Sequence, residues 1–427
     1  MSASKPVGKH ARMITVLPLP LVYAMLSATP AAAQSADPSD SGKRGSSTAD
    51  VIGAEIIVTA TKRPEDVQDV PLAVTAFGEE QLEALNFRNL SSLGSTMPNV
   101  ALDDNGTVKG YANFSIRGLG VASSIPSIDP TVGLFVDGIY QGINNGQVLD
   151  NFDLEAIEVL RGPQGVLFGR NVTGGAVLVR TRKPSDRLEA SARIGAETGI
   201  RTVADASVSG PIAQGLSVKL AGYYTYDDGF FTNFATGEEQ GRHQQWVIRP
   251  ALRWTPSANI EFLLRFEHGK ANGDGPATQN RAIFSDDSFD YQVNDPGFFK
   301  NKWTSATFET NIDVGFGDGT ITNLLGWRKF QSDSLSDLDG LMATVFHIRN
   351  FTDQEQWSNE LRYAGTFGNF EVTTGLYYFT QDLKYVEQRL LGAARRTGGI
   401  RRALVPLAAD RRRDRNAARR GLRHATP

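Results

Sequence analysis

The sequence predicts a small α+β domain followed by an incomplete antiparallel transmembrane β-barrel of about 8–10 strands. Three observations predict it. An export signal opens the chain. A glycine-punctuated stretch, Asn151 to Pro184, follows a series of short strands and helices. Behind Pro184 the apolar residues alternate with period two in runs of about ten, the repeat of a tilted strand with lipid on one face and a polar lumen on the other.

Residues 1–33 form the signal. Lys5, Lys9 and Arg12 give a positive start, Ile14 to Ala28 an apolar core interrupted by Pro18 and Pro20, and Ala31-Ala32-Ala33 a small-residue cleavage site. Residues 34–54 are Ser, Asp, Gly, Thr and Ala with one Lys-Arg pair, too polar to bury a core, and are expected to be a flexible leader. Glu55-Ile56-Ile57-Val58-Thr59-Ala60 is β-branched and closed off by Pro64, which on its residues alone reads as a short edge strand.

The next elements are short. Val67 to Phe77 is expected to be one strand, Gly78 to Leu85 and Asn89 to Met97 short helices, and Asn113 to Gly118 and Leu134 to Tyr140 strands, the last with an Asp-Gly turn. The stretch Asn151 to Pro184 is expected to open with a turn of helix. Leu154, Ile157 and Val159 or Leu160 would share its buried face, and Asp153, Glu155 and Glu158 would lie in water. The glycines from Gly162 to Gly175 then forbid any long helix.

From Arg187 to Leu390 the alternation is sustained. Leu216, Val218 and Leu220 oppose Ser217 and Lys219. Trp246, Ile248, Leu252 and Trp254 alternate with Arg249 and Arg253, and Ile260, Phe262, Leu264 and Phe266 with Glu261, Arg265 and Glu267. Gly210-Pro211 and Thr255 to Asn259 are expected to be tight turns, and Lys270 to Lys300 an outer loop. A soluble β-sandwich alternates in the same way, so the period alone does not separate the two. From 391 to 427 the alternation lapses and arginines crowd, as in Arg411 to Arg413. A truncated or frameshifted coding sequence and a basic tail both fit such a composition.

The composition excludes several classes. With 43 glycines and a mean hydropathy of -0.27, the chain lacks the apolar runs of a polytopic helical membrane protein. A net charge of -3 argues against a nucleic-acid binder, and zero cysteines exclude disulfides and thiolate chemistry. His10, His243, His268, His347 and His424 show no metal-ligand spacing, so they read as isolated, with no metal expected. The glycine-rich stretch lacks a GKS or GKT ending, and no GxSxG elbow occurs. No enzyme and no cofactor are therefore expected.

IEVLRGPQGVLFGRNVTGGAVLVRTRKP, with SIRG and VDG before it, resembles the plug domain of TonB-dependent outer-membrane receptors of the siderophore-receptor type, and the resemblance covers about Glu55 to Pro184. It implies a plug at 61–184, a barrel portion at 185–390 and an aberrant tail at 391–427. It also makes Glu55, Ile56, Ile57, Val58, Thr59 and Ala60 the TonB box. An exposed β-branched segment suits capture by strand addition, and it can pair with the plug when idle. The partners it implies are a TonB-type energy-coupling protein, outer-membrane lipid and a ferric siderophore or similar ligand, with no nucleic acid. Arg117, Arg161 and Arg170 would latch the plug to carboxylates on the inner wall. Asn105, Tyr111, Asn113, Ser123 and Ser124 would meet substrate on apical loops. The resemblance thus implies active nutrient uptake across the outer membrane of a Gram-negative cell. Two other readings stay open: a non-functional fragment, and a soluble extracytoplasmic β-protein that binds a partner.

Overall fold

The computed structural model describes residues 56–85, 87–104, 112–121, 125–143, 145–146, 150–197, 201–285, 288–392 and 403–411. The expected signal, the leader, Glu55, Asn105, Tyr111, Ser123, Ser124 and most of the arginine-rich tail lie outside the described residues.

The first domain begins with a two-residue ladder, β1 (Ile57–Val58) against β2 (Glu65–Asp66). β3 (Val74–Gly78) leads into α1 (Glu79–Ala84), whose first-turn Glu79 and Glu80 suit the helix dipole. α2 (Leu90–Gly94) starts at Asn89, whose side chain accepts from the Ser92 N–H and so supplies the missing cap. β4 (Val100–Asp104), β5 (Ala112–Ile116) and β6 (Leu119–Gly120) make a three-stranded sheet. β7 (Val132–Val136) and β8 (Ile139–Tyr140) are joined at Asp137 and Gly138, both at positive φ, as the tightest hairpin turn demands. β9 (Leu154–Arg161), the one-turn helix α3 (Gly165–Phe168) and β10 (Gly175–Thr181) complete a five-stranded sheet of order β3-β9-β10-β7-β8.

β9 corrects the expected helix. It pairs with β3 on one edge and β10 on the other, and both of its faces are covered, with Leu154, Ile157 and Val159 in one apolar cluster and Leu160 in a second, so helical periodicity carries no information. Leu154, Ile157, Val159 and Leu160 are buried, and so is Glu158, which had been expected in water. Burying each of the large aliphatic side chains contributes roughly 1.5–3 kcal/mol. The expected single strand from Val67 to Phe77 is also divided: β2 lies just before it, β3 takes only its end, and the intervening residues are irregular around Pro71.

The wall is a ten-stranded antiparallel sheet. Its first three strands are β11 (Glu189–Glu197), β12 (Arg201–Ala213) and β13 (Leu216–Asp227). A long loop then carries β14 (Phe231–Asn233) and β15 (Glu239–Gln240), and β16 (His243–Ser257) and β17 (Ile260–Gly273) follow. A second long loop carries β18 (Asp290–Tyr291), which pairs with β14. β19 (Phe298–Val314), β20 (Gly319–Asp337), β21 (Phe346–Phe367), β22 (Phe370–Leu391) and β23 (Ala403–Arg411) complete the sheet. β23 lies in the segment where the sequence alternation lapses. Gly210-Pro211, expected as a turn, lies inside β12, and the reversal comes at 214–215, with Gly215 at φ +67°. Short reversals at 214–215, 258–259 and 368–369 mark one end of the wall and the long loops mark the other.

Leu188, Ile194, Leu220, Trp254, Leu264, Trp357 and Leu376 are exposed on the outside, with Trp254, Phe262 and Phe308 in a stacked row. Lys219, Arg249, Gln354 and Gln356 are buried on the inside. The apolar face is therefore the outer one, as a membrane wall requires. Strands β11, β13, β16, β20, β21 and β22 each touch the first domain, so the sheet is wound around it. An apolar cluster crosses the boundary, with Ile143 and Phe152 of the first domain packed among Ala221, Tyr223, Val247, Phe299, Trp303 and Phe330 of the wall.

Candidate functional site: the boundary between the inner domain and the wall

The extended segment behind Ile56 is held at two levels. Val58 and Ala60 are fully buried in an apolar cluster with Phe135, Leu160 and Leu178, while Ile57 is 41% exposed. Glu158, also fully buried, turns its carboxylate onto Thr59: the Thr59 N–H donates to both oxygens at 3.0 and 2.9 Å, and the Thr59 hydroxyl donates at 3.1 Å. Arg180 adds a bond from its guanidinium to the Ile57 carbonyl at 3.1 Å and lies 3.7 Å from Glu158. Burial nevertheless wins over Arg180 and the Thr59 bonds, and holds the Glu158 carboxyl above its ordinary value.

Beside this segment, between the domain and the wall, lies a cavity of about 620 Å³. Thr59, Lys62, Arg63, Arg265, Glu309 and Arg362 are among its lining residues. Lys62 Nζ lies 3.1 Å from Glu360 of the wall, and Arg63 3.5 Å from Glu371. Burial lowers the Lys62 ammonium from its ordinary value despite Glu360. The cavity reaches the reversal residue Asp318 as well as Thr366, so it opens toward the short-turn end.

Deeper in, the wall supplies the cations and the inner domain the acids. Lys219 Nζ donates to Asp153 at 2.8 and 2.7 Å, with both side chains almost fully buried, and also bonds the Arg182 carbonyl. Arg249 donates to the Phe152 carbonyl at 2.8 Å and stacks over the Phe152 ring, while Glu267 pairs with Arg249 and accepts from Trp303 Nε1. Arg265 stands 3.7 Å from Asp137 and 3.0 Å from Glu309. Higher up, Gln356 accepts from the Gly142 N–H at 2.9 Å and donates to the Tyr140 carbonyl at 2.7 Å.

This polarity differs from the expected latch. Arg170 pairs with Asp129 of its own domain at 2.9 Å, and both are half exposed. Arg117 is exposed in a left-handed turn whose N–H donates to the Asn99 carbonyl. Arg161 is partly buried at the end of β9, with its N–H on the Ala73 carbonyl. The three are not brought together on the described wall. The residues that do join domain and wall had a visible signal: Lys219, Arg249 and Arg265 occupy the polar phase of strands whose other phase faces lipid, so their charges must point inward. Asn113, the one described residue of the expected substrate loops, is partly buried in β5. His347, read as isolated, stands opposite Asp337 at the loop end of the wall. On the long loops, exposed Phe230 and Phe289 pack edge to face, and exposed Phe234 packs against Phe284, none of which the sequence pattern marks.

Residues 66–176 match the family model described as the TonB-dependent Receptor Plug Domain. The ferrioxamine receptor of Yersinia enterocolitica is 22% identical over 375 residues, which is 86% of this chain and 48% of that one. The ferrichrome outer membrane transporter/phage receptor of Escherichia coli (strain K12) is 26% identical over 227 residues, 52% of this chain and 29% of that one. Among solved structures, the ferric yersiniabactin uptake receptor of Yersinia pestis superimposes with a TM-score of 0.65 at 20% identity, covering 75% of this chain and 49% of that chain. The ferripyoverdine receptor of the outer membrane of Pseudomonas aeruginosa gives 0.62 at 13% identity, covering 80% and 46%. The chain thus spans about half the length, or less, of the proteins it matches. Residues 66–176 thus match the TonB-dependent receptor plug domain, and the wall wound around that domain has the fold of the solved receptors.

Proposed function

We propose that the chain serves, in the outer membrane, in TonB-dependent uptake of a ferric siderophore. The observation that carries this reading is the docked strand at Ile57 and Val58. It is only two residues long and lies beside a polar cavity at the short-turn end of the wall. Residues Glu55 to Ala60 act as the TonB box: an energy-coupling protein adds a strand to this backbone, displaces β2 and pulls against the Glu158 bonds. We assign contact with the ligand to the exposed rings of Phe230, Phe234 and Phe289 on the long loops, and to Asn105, Tyr111, Asn113, Ser123 and Ser124 of the plug. Arg117 and Arg170 are exposed on the plug, and with Arg161 we assign them to the contact a closed wall makes there. The relatives named above bear siderophore names, which supports iron as the cargo.

The test replaces Ile57 with proline. The variant is expected to reach the outer membrane in normal amount, but to lose capture by the periplasmic domain of a TonB-type protein and uptake of radiolabelled ferrioxamine. Capture that survives Ile57→Pro refutes the box assignment.

A further inference from the structure

At the loop end of the wall, Asp337 ends β20 and His347 lies directly across from it in β21. His347 Nε2 is 3.2 Å from Asp337 Oδ2, 3.8 Å from Asp339 Oδ2 and 3.2 Å from Asn294 Oδ1. The three titratable side chains are each at least 94% buried, and their donor atoms lie within 4.8 Å of one another. A ring nitrogen carries at most one hydrogen, yet three oxygens converge on this one. Asp337 Oδ2 is buried and accepts no hydrogen bond. A buried carboxylate oxygen left in that state wants a positive charge.

The surroundings hold these donors in place. Asp339 accepts from the N–H groups of Leu341, Val345 and Phe346, so the loop is wrapped around its carboxylate. Asn294 donates to Thr344 at 2.8 Å, and Thr278 donates to the Asp337 carbonyl at 2.7 Å, which ties in the preceding loop. A tetrahedral zinc ion, with bonds of about 2.0–2.2 Å, sets neighbouring donors about 3.3–3.6 Å apart, which the three gaps from His347 Nε2, 3.2 to 3.8 Å, bracket.

We propose that Asp337, Asp339 and His347, with Asn294 as the fourth donor, form a binding site for a divalent transition cation of the zinc type. The cation staples the loop between β20 and β21 to the loop before β19. One nitrogen and three hard oxygens suit zinc.

The full chain in detergent micelles, stripped with a chelator, is titrated calorimetrically with zinc chloride near neutral pH. One saturable site is expected, with affinity falling at least tenfold in His347→Gln and Asp337→Asn and unchanged in His243→Gln. In the wild type, zinc is expected to slow proteolysis of the 338–345 loop, a readout that depends on no variant. Absence of saturable uptake by the wild type, affinity indifferent to His347→Gln, or a loop cleaved at the same rate with and without zinc each overturns the assignment.

Discussion

Lys219→Met tests the reversed latch most directly. The substitution keeps the length and most of the apolar stem but removes the ammonium that donates at 2.8 and 2.7 Å to an Asp153 carboxylate that is 1% exposed. Removing one partner of a buried pair costs about 3–5 kcal/mol, because the other charge stays buried without compensation. Arg249 also acts on Asp153 through its charge, which places the expected loss near the lower bound, about 3 kcal/mol. That corresponds to roughly a hundredfold shift in the unfolding equilibrium. The assay is denaturant unfolding in micelles followed by tryptophan fluorescence. The cycle is completed with Asp153→Asn, since Asn tolerates the φ of +55° at this position. Burial already holds the Asp153 carboxyl above its ordinary value, so its neutral replacement is tolerated better than its orphaned charge. The double variant is expected to recover at least about 1.5 kcal/mol of the single loss. A single loss below about 1 kcal/mol, or a double variant as unstable as Lys219→Met, would refute the claim that this pair is a desolvated latch.

Further outcomes follow from the same structure. Because burial raises Glu158 above its ordinary 4.5, the native plug binds more protons than the unfolded chain between the two values. Stability therefore declines as pH rises through that window and levels off above it. Glu158→Gln is expected to flatten this slope in a series of denaturant midpoints, and an unchanged slope assigns the effect elsewhere. Gly175→Ala is expected to lose about 2 kcal/mol or more, since a Cβ there would stand 2.2 Å from the Leu160 carbonyl oxygen at a φ of +151°. A thermal shift of the variant within error of the wild type would contradict that. Leu134→Ala, at a fully buried position of the central sheet, is expected to cost about 2–5 kcal/mol in the same assay.

The sequence made some features legible because one physical requirement dominated them. The turn at Asp137 and Gly138 follows from two consecutive positive φ angles. The wall strands follow from the conflict between lipid and lumen, repeated along every run and visible in Trp254 and Phe262 against Arg253 and Glu261. The elements that misled are those where two requirements compete. β9 is covered on both faces, so its apolar residues show no period, and Glu158 resembles a solvated helix residue until Thr59 is brought to it by the fold. Gly210-Pro211 has turn composition but continues β12, because the reversal is set by the register with β13 and by Gly215. The polarity of the latch was half visible. Lys219, Arg249 and Arg265 could be placed on the inner phase, but their partners are 66, 97 and 128 positions away in the chain, a pairing that periodicity does not encode.

The boundary between plug and wall is uneven, and the unevenness gives an applied force a direction. On one side, Phe152 and Ile143 sit in a dry apolar seam with Phe299, Trp303 and Phe330. On the other, ion pairs and a cavity of about 620 Å³ leave room for water. Apolar contacts give way only when surface is exposed, whereas charges that line a cavity are rehydrated as they part. Tension on the segment at Ile57 is therefore expected to tilt the plug about the Phe152 seam, like a flap on its stitched side, rather than to eject it whole. Amide exchange under load should then rise first at Val58 and Thr59 and last around Phe152, and the reverse order would exclude such a flap.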